Sequence, residues 1–200
     1  IRGAGGNADL WQSAGAVPVA ATLPEAVSLL QRGGLDCQHG VHSWLLTFGY
    51  GDFAKNVLDY PLGLTGPAVG LMFNRDAWLK LTPEQQKVHL KQAAYLSAAE
   101  AIGEFQIDND AHLQKVIAEK GVKVLKAEPA GFKALTDRFE KVQRENVINA
   151  AKGFGVADPG KIIDAYNKNL VKWTALTKDA NRDIGKFTDL IWKEIYSKVD

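Results

Sequence analysis

Thr22-Leu23-Pro24-Glu25-Ala26-Val27-Ser28-Leu29-Leu30-Gln31-Arg32-Gly33-Gly34-Leu35-Asp36-Cys37 holds a helix start, a helix stop and a strand entry in sixteen residues. Thr22 and Glu25 have the spacing of a capping box. Pro24 suits the first turn of a helix, where its missing N–H has no partner to lose. The pattern predicts a helix over Pro24–Arg32 that stops at Gly33-Gly34. Leu35-Asp36-Cys37 then reads as a short strand entering a polar loop. Just upstream, Ala16-Val17-Pro18-Val19-Ala20 reads as another short strand. Before it, Gly3-Ala4-Gly5-Gly6-Asn7 is a tight turn, and a short helix starts at Asn7 or Asp9 and runs through Trp11. Ile1–Gly3 reads as the end of a strand. Strand, helix, strand, helix, strand predicts parallel pairing with helical crossovers.

Farther on, Gly40–Asn56 is rich in aromatics and glycine and has no regular period. Leu58–Phe73 reads as extended, with Pro61 and Pro67 limiting its regularity. Thr82-Pro83-Glu84-Gln85 is a second capping box. It opens a helical pattern over about Pro83–Lys120, with Val88, Tyr95, Ala99, Ile102 and Phe105 on one stripe, ended by Gly121. Val122-Lys123-Val124-Leu125 alternates like a strand. Three further helical patterns follow. One carries Phe132, Leu135, Phe139 and Val142. The next carries Ile162, Ile163, Tyr166, Leu170 and Trp173, and the last Ile184, Phe187, Ile191 and Ile195.

The 200 residues are 46% apolar and 24% charged, a composition that folds rather than staying disordered. Net charge is +1, which favours neither nucleic acid nor an anionic membrane surface. The first 75 residues carry four basic and five acidic side chains, against twenty and eighteen in the rest. The front is therefore poor in solvated surface, and the rear has the make-up of charged amphipathic helices. One cysteine, Cys37, excludes an intramolecular disulfide. Uncharged runs such as Leu10–Pro24 and Tyr60–Asn74 fall short of the ~20 apolar residues a bilayer helix needs. The opening Ile1-Arg2-Gly3, without an initiator methionine or signal peptide, reads as a processed chain or a fragment.

Several groups invite chemistry. Arg2 is the sole charge in the first eight residues and sits where a strand end meets a glycine-rich turn. A guanidinium there can grip a carboxylate through two parallel hydrogen bonds; the bland alternative is a frayed surface side chain. Gly3–Gly6 resembles a phosphate turn. However, Ala8 stands at the third glycine of the dinucleotide fingerprint, and Pro18 comes too soon for a full crossover helix. Asp36-Cys37-Gln38-His39-Gly40-Val41-His42 is the densest stretch. It offers zinc ligands, but not at the spacing of a structural zinc site. It offers a Cys-His pair, but no evident third group to orient it. Otherwise it is a polar loop at the mouth of a cleft. Trp44, Phe48, Tyr50 and Phe53 read either as core beneath that loop or as the wall of a ligand cleft. His89 and His112 fall on charged helices and read as solvated.

Taken in order, these motifs resemble the solute receptors of tripartite ATP-independent periplasmic (TRAP) transporters. The matching pieces are Ile1-Arg2, Val17-Pro18-Val19, Glu25, Leu30-Gln31-Arg32-Gly33 and Leu35-Asp36-Cys37. Met72-Phe73-Asn74, Trp78, Leu81, Pro83-Glu84 and Gln86 continue the match, which spans about the first 125 residues. The resemblance implies an α/β fold of the periplasmic-binding-protein kind. In it this chain supplies a second lobe, a short mixed sheet with helices, plus long connecting and C-terminal helices, with the first lobe missing. It implies an α/β ligand-binding lobe over residues 1–75, a long connecting helix and return strand over 76–127, and C-terminal helices over 128–200.

It further implies an extracytoplasmic, periplasmic receptor, not an enzyme and not membrane-embedded. The receptor takes a small organic acid and passes it to TRAP permease subunits; a homodimer is open, and neither cofactor nor metal is called for. Arg2 matches the arginine that pairs with the ligand carboxylate. Gly40 stands where the family often has an asparagine, so Gln38, His39 or His42 substitutes, and Trp44 joins the ligand-binding set. Cys37 replaces the usual glycine. With half a cleft, weak or absent binding by this chain alone is expected. The competing reading is a Cys/His-based or metal-dependent hydrolase built on the 36–42 loop.

Overall fold

The computed structural model describes residues 1–3, 6–60 and 71–199. The chain divides into two compact units, each with its own hydrophobic cluster. One comprises Ile1–Thr65 and Ala111–Asn167, the other Gly66–Asp110 and Lys168–Asp200.

The first unit begins with three backbone segments lying side by side. Arg2 makes parallel bridges to Val19 on one side and Gln38 on the other. Val19 N–H donates to Ile1 C=O (2.8 Å), Gly3 N–H to Val19 C=O (3.2 Å) and Arg2 N–H to Cys37 C=O (3.1 Å). Both bridges are parallel, as the strand–helix alternation predicts. Helix α1 (Gly6–Ser13) joins the first pair of segments, and α2 (Leu23–Gln31) leads to the third. The pairing is shorter than expected, single bridges in place of ladders. Pro18 has no N–H to give, and a ladder needs donors at successive register positions. The tight turn read at Gly3–Asn7 falls partly on residues 4 and 5, outside the described residues.

Helix α2 starts as its sequence dictates. Glu25 N–H donates to Thr22 Oγ1, while Glu25 Oε2 accepts from Thr22 N–H and Oγ1, each at 2.8 Å. Gly33, at φ +72°, takes the left-handed conformation that ends it. The stretch Gly40–Asn56 becomes α3 (Trp44–Thr47) and a 3-10 turn at Tyr50–Asp52. Strand β1 (Asn56–Asp59) pairs in parallel with β2 (Lys123–Lys126), with Asn56 opposite Lys123. Of the extended stretch read over Leu58–Phe73 only Leu58 and Asp59 fall in this strand, and its residues 61–70 lie outside the described ones. The core holds Ala26, Leu35, Leu45, Tyr50, Leu113, Val116 and Val122. Helix α6 (Asn109–Lys120) supplies two of these. Lys120 ties its end to the loop by an ion pair with Asp52 (2.7 Å). Helix α7 (Pro129–Gly153) packs beside α1, where Asn146 Nδ2 donates to Asp9 (3.4 Å).

The second unit contains α4 (Arg75–Leu79), α5 (Pro83–Ala98), the residues of α8 (Pro159–Ala180) from Lys168 onward, and α9 (Ile184–Glu194). Between α5 and α6 the chain stays helical, but Ala99–Asp108 is π-helical. The helix expected over Pro83–Lys120 therefore exists, with the expected stripe buried only in part: Ile102 is core and Ala99 and Phe105 are half-buried. Val88 and Tyr95 are more than half exposed, and the core takes Ala94, Ala98 and Ile102 with Ala180, Phe187 and Ile191. A spacing of four, with alanine at two of the three positions, lets α9 approach closely. His89 and His112 are half-buried rather than solvated. The His89 ring lies edge-on to Phe73, centroids 4.9 Å apart, and His112 Nδ1 is buried without a hydrogen-bond partner among the described residues.

Across the described residues the fold is mostly helical with a small two-stranded parallel sheet. This agrees with part of an α/β domain of the periplasmic-binding kind. The strand pairs present are parallel, where a mixed sheet is expected.

Candidate functional site

Arg2 sits at the middle of the three parallel segments, and its side chain is half-buried. Its Nε donates to Ala21 C=O at 2.8 Å. That bond orients the guanidinium plane, in which the terminal Nη1 and Nη2 form a fork of donors. Burial in a strand crossing, rather than at a frayed end, follows from the backbone bonds on both sides of the residue.

Gln38 is the bridge partner of Arg2, so the polar loop 36–42 starts beside the guanidinium. Gln38 Nε2 donates to His39 C=O, and Gln38 Oε1 is buried with no donor among the described residues. His39 is half-buried. Its Nδ1 accepts a hydrogen bond from the Trp11 indole N–H (3.2 Å), and the two rings meet edge to face at 5.4 Å. Burial holds the His39 pKa below the usual histidine value, and the positive charge of Arg2 lowers it further. The buried Tyr50 feels Arg2 too. Burial raises its pKa and Arg2 opposes the rise. Tyr50 is otherwise a core residue, with its hydroxyl on Leu23 C=O (2.6 Å).

Gly40 is glycine for a steric reason. A Cβ there would lie 2.8 Å from Trp44 Cζ3 and closer still to Cε3. The indole of Trp44 therefore rests on the Gly40 backbone, and edge-to-face contact with Phe48 (5.9 Å) holds it there. His42 turns to β1, with Nε2 3.5 Å from Asp59 Oδ1. Arg2, Gln38, His39, Gly40 and Trp44 are thus joined through direct contacts or adjacency, while His42 is engaged with Asp59. Of the aromatic run, Tyr50 is core, Trp44 and Phe48 pack against it, and Phe53 is exposed. Cys37 is exposed, and among the described residues no hydrogen bond joins it to either histidine. No group of three potential metal ligands occurs among the described residues.

Sequence reasoning missed Trp11, Ala21 and Asp59. Ala21 contributes only a carbonyl and leaves no mark in the sequence. Trp11 and Asp59 reach their histidines across 28 and 17 positions, beyond any local pattern.

The profile of a family described as DctP, bacterial extracellular solute-binding protein family 7, matches residues 3–149. The chain belongs to this family. A comparison with curated protein sequences finds no match. DctP proteins are extracytoplasmic solute-binding receptors of TRAP transporters, binding proteins rather than enzymes, and they partner TRAP permease subunits. In this DctP chain the matched span starts one residue after Arg2 and contains the whole loop from Gln38 to Trp44. No helix among the described residues is long and apolar enough to cross a membrane.

Proposed function

We propose that this chain is the receptor for a small organic acid and that Arg2 holds the ligand carboxylate. The observation carrying this reading is the placement of Arg2. Its Nε is anchored on Ala21, its backbone is bridged to Gln38, and its charge acts on His39. A fixed cation in a half-buried setting, with a histidine kept uncharged beside it, concentrates positive charge on one fork. An anion gains most where the cation is already ordered and partly desolvated. Gln38 and His39 supply the polar contacts beyond the carboxylate, and Trp44 above Gly40 supplies an apolar wall. Closure of a receptor on its solute then shifts an open–closed balance that the permease reads.

A charge-assisted hydrogen bond of this kind contributes about 1.5–3 kcal/mol. Arg2→Lys keeps the charge and loses the planar fork, so a loss of about tenfold or more in affinity is expected. The test is a heteronuclear NMR titration with propionate, lactate and malonate, a method that also reads millimolar binding. Shifts should concentrate at the Trp11 indole N–H and the amides of residues 38–40 and weaken in Arg2→Lys. An unchanged dissociation constant in that variant, or shifts confined elsewhere, would remove Arg2 as the clamp.

A further inference from the structure

We propose that Trp11 is a positioning residue that holds His39 in the tautomer with its proton on Nε2. The site thereby pairs Arg2 with an uncharged donor and prefers hydroxylated monocarboxylates to their deoxy or dicarboxylate analogues. This rests on the carboxylate reading of Arg2 above.

Bond chemistry sets the tautomer. An indole N–H only donates, so the nitrogen it meets, His39 Nδ1, must present a lone pair. An uncharged imidazole with a bare Nδ1 carries its proton on Nε2. The charged form would have to break the Trp11 bond, since both its nitrogens donate. Arg2 acts in the same sense by opposing a second positive charge, and so does burial. The hydrogen bonds among the described residues include none from His39 Nε2. The edge-to-face contact of the two rings fixes the imidazole plane as well as its tautomer.

The ligand preference follows from the adjacent residue, Gln38, whose backbone is bridged to Arg2. Gln38 Oε1 is buried and lacks a donor. A hydroxyl both accepts, from an N–H such as His39 Nε2–H, and donates, to an oxygen such as Gln38 Oε1. A second carboxylate can accept but has no proton to donate to Gln38 Oε1. A methylene satisfies neither and leaves both polar atoms unpaired, a loss that sites built on hydrogen bonds discriminate strongly.

The first measurement needs no ligand and no variant. Long-range proton–nitrogen NMR of the unliganded protein should show His39 with a protonated Nε2 and a bare Nδ1. A proton on Nδ1, or a mixture of tautomers, would overturn the assignment to Trp11. The second measurement is affinity for propionate, malonate, lactate and 3-hydroxypropionate. At least one hydroxy acid should bind about tenfold more tightly than propionate and than malonate. Trp11→Phe, which keeps the ring and removes the N–H, should release the tautomer mixture and shrink that ratio to about twofold. A ratio unchanged in Trp11→Phe, or equal affinities in the unsubstituted protein, would refute the selectivity. If no carboxylate binds at all, the carboxylate reading and the preference fall together, while the tautomer result still judges the role of Trp11.

Discussion

Gly40 shows how one missing side chain shapes the site. The position next to His39 has no room for a Cβ, because the Trp44 ring already occupies that space. Trp44 cannot withdraw freely, since Phe48 meets its ring edge to face and the Leu45–Tyr50 core lies behind. Gly40→Ala therefore has to displace a packed indole, at a cost of about 1–3 kcal/mol. Near-ultraviolet circular dichroism should change, and the midpoint of urea unfolding should fall. Adding Trp44→Ala should recover part of that loss, because the clash is pairwise and the two changes will not add. Full additivity in the double variant would mean that the ring does not set the constraint. Arg2 and the 38–42 loop were legible as polar residues at strand ends, from lone charge and glycine density. Their support was not, since the Trp11 bond to His39 and the Ala21 bond to Arg2 depend on how distant turns meet.

At the scale of elements, α2 does the aligning. It runs from the segment that bridges one side of Arg2 to the segment that bridges the other. Its first turn is closed by Thr22 and Glu25, and its last by Gly33 in the left-handed conformation. Thr22→Ala removes the oxygen that accepts from Glu25 N–H and should cost about 1 kcal/mol. Thr22→Ser keeps that oxygen and should stay within a few tenths of a kcal/mol of the parent. Thermal unfolding of the two variants checks the difference, and equal losses would assign it to the methyl group instead. Both capping boxes, the glycine stops and every long helix could be read from the chain, because caps and periods are local chemistry. The buried face of Pro83–Lys120 could be read only at Ile102 and its neighbours, not in the first half of the helix. A period of 3.6 places Val88 and Tyr95 on the stripe, whereas the core is built on Ala94, Ala98 and Ile102 at intervals of four. The π-helical run after Ala98 also breaks the α-helical phase on which such a stripe depends. Likewise, the alternation in Val122–Leu125 suggests one buried face; Val122 is core, but Val124 on the same face is exposed with the rest of β2.

For the whole molecule, acid stability brings charge and packing together. Net charge is +1, so mild acidification starts from little self-repulsion. The carboxylates with lowered pKa values, Glu25, Glu84, Asp158 and Glu194, are held down by hydrogen bonds or neighbouring lysines, and their contributions fade as pH falls from the ordinary carboxylate range toward their lower folded values. His39 acts earlier. Its folded pKa lies below the unfolded value of 6.5, so the unfolded chain takes up the proton first. The stability it contributes is complete above pH 6.5 and is lost as pH falls through the lower, folded value. Urea midpoints at pH 7.5, 6.5 and 5.5 should therefore decline for the parent protein. His39→Gln, which cannot titrate, should decline less over the same interval whatever its absolute stability. Because each unit has its own core, the reporter matters: amides around Leu35 and Val116 read the unit that holds His39, and those around Ala98 and Ile191 read the other. The difference between parent and variant should appear in the first set. Parallel pH slopes in the two proteins would show that His39 is equally free to charge in both states, and with that the uncharged donor beside Arg2 would be lost.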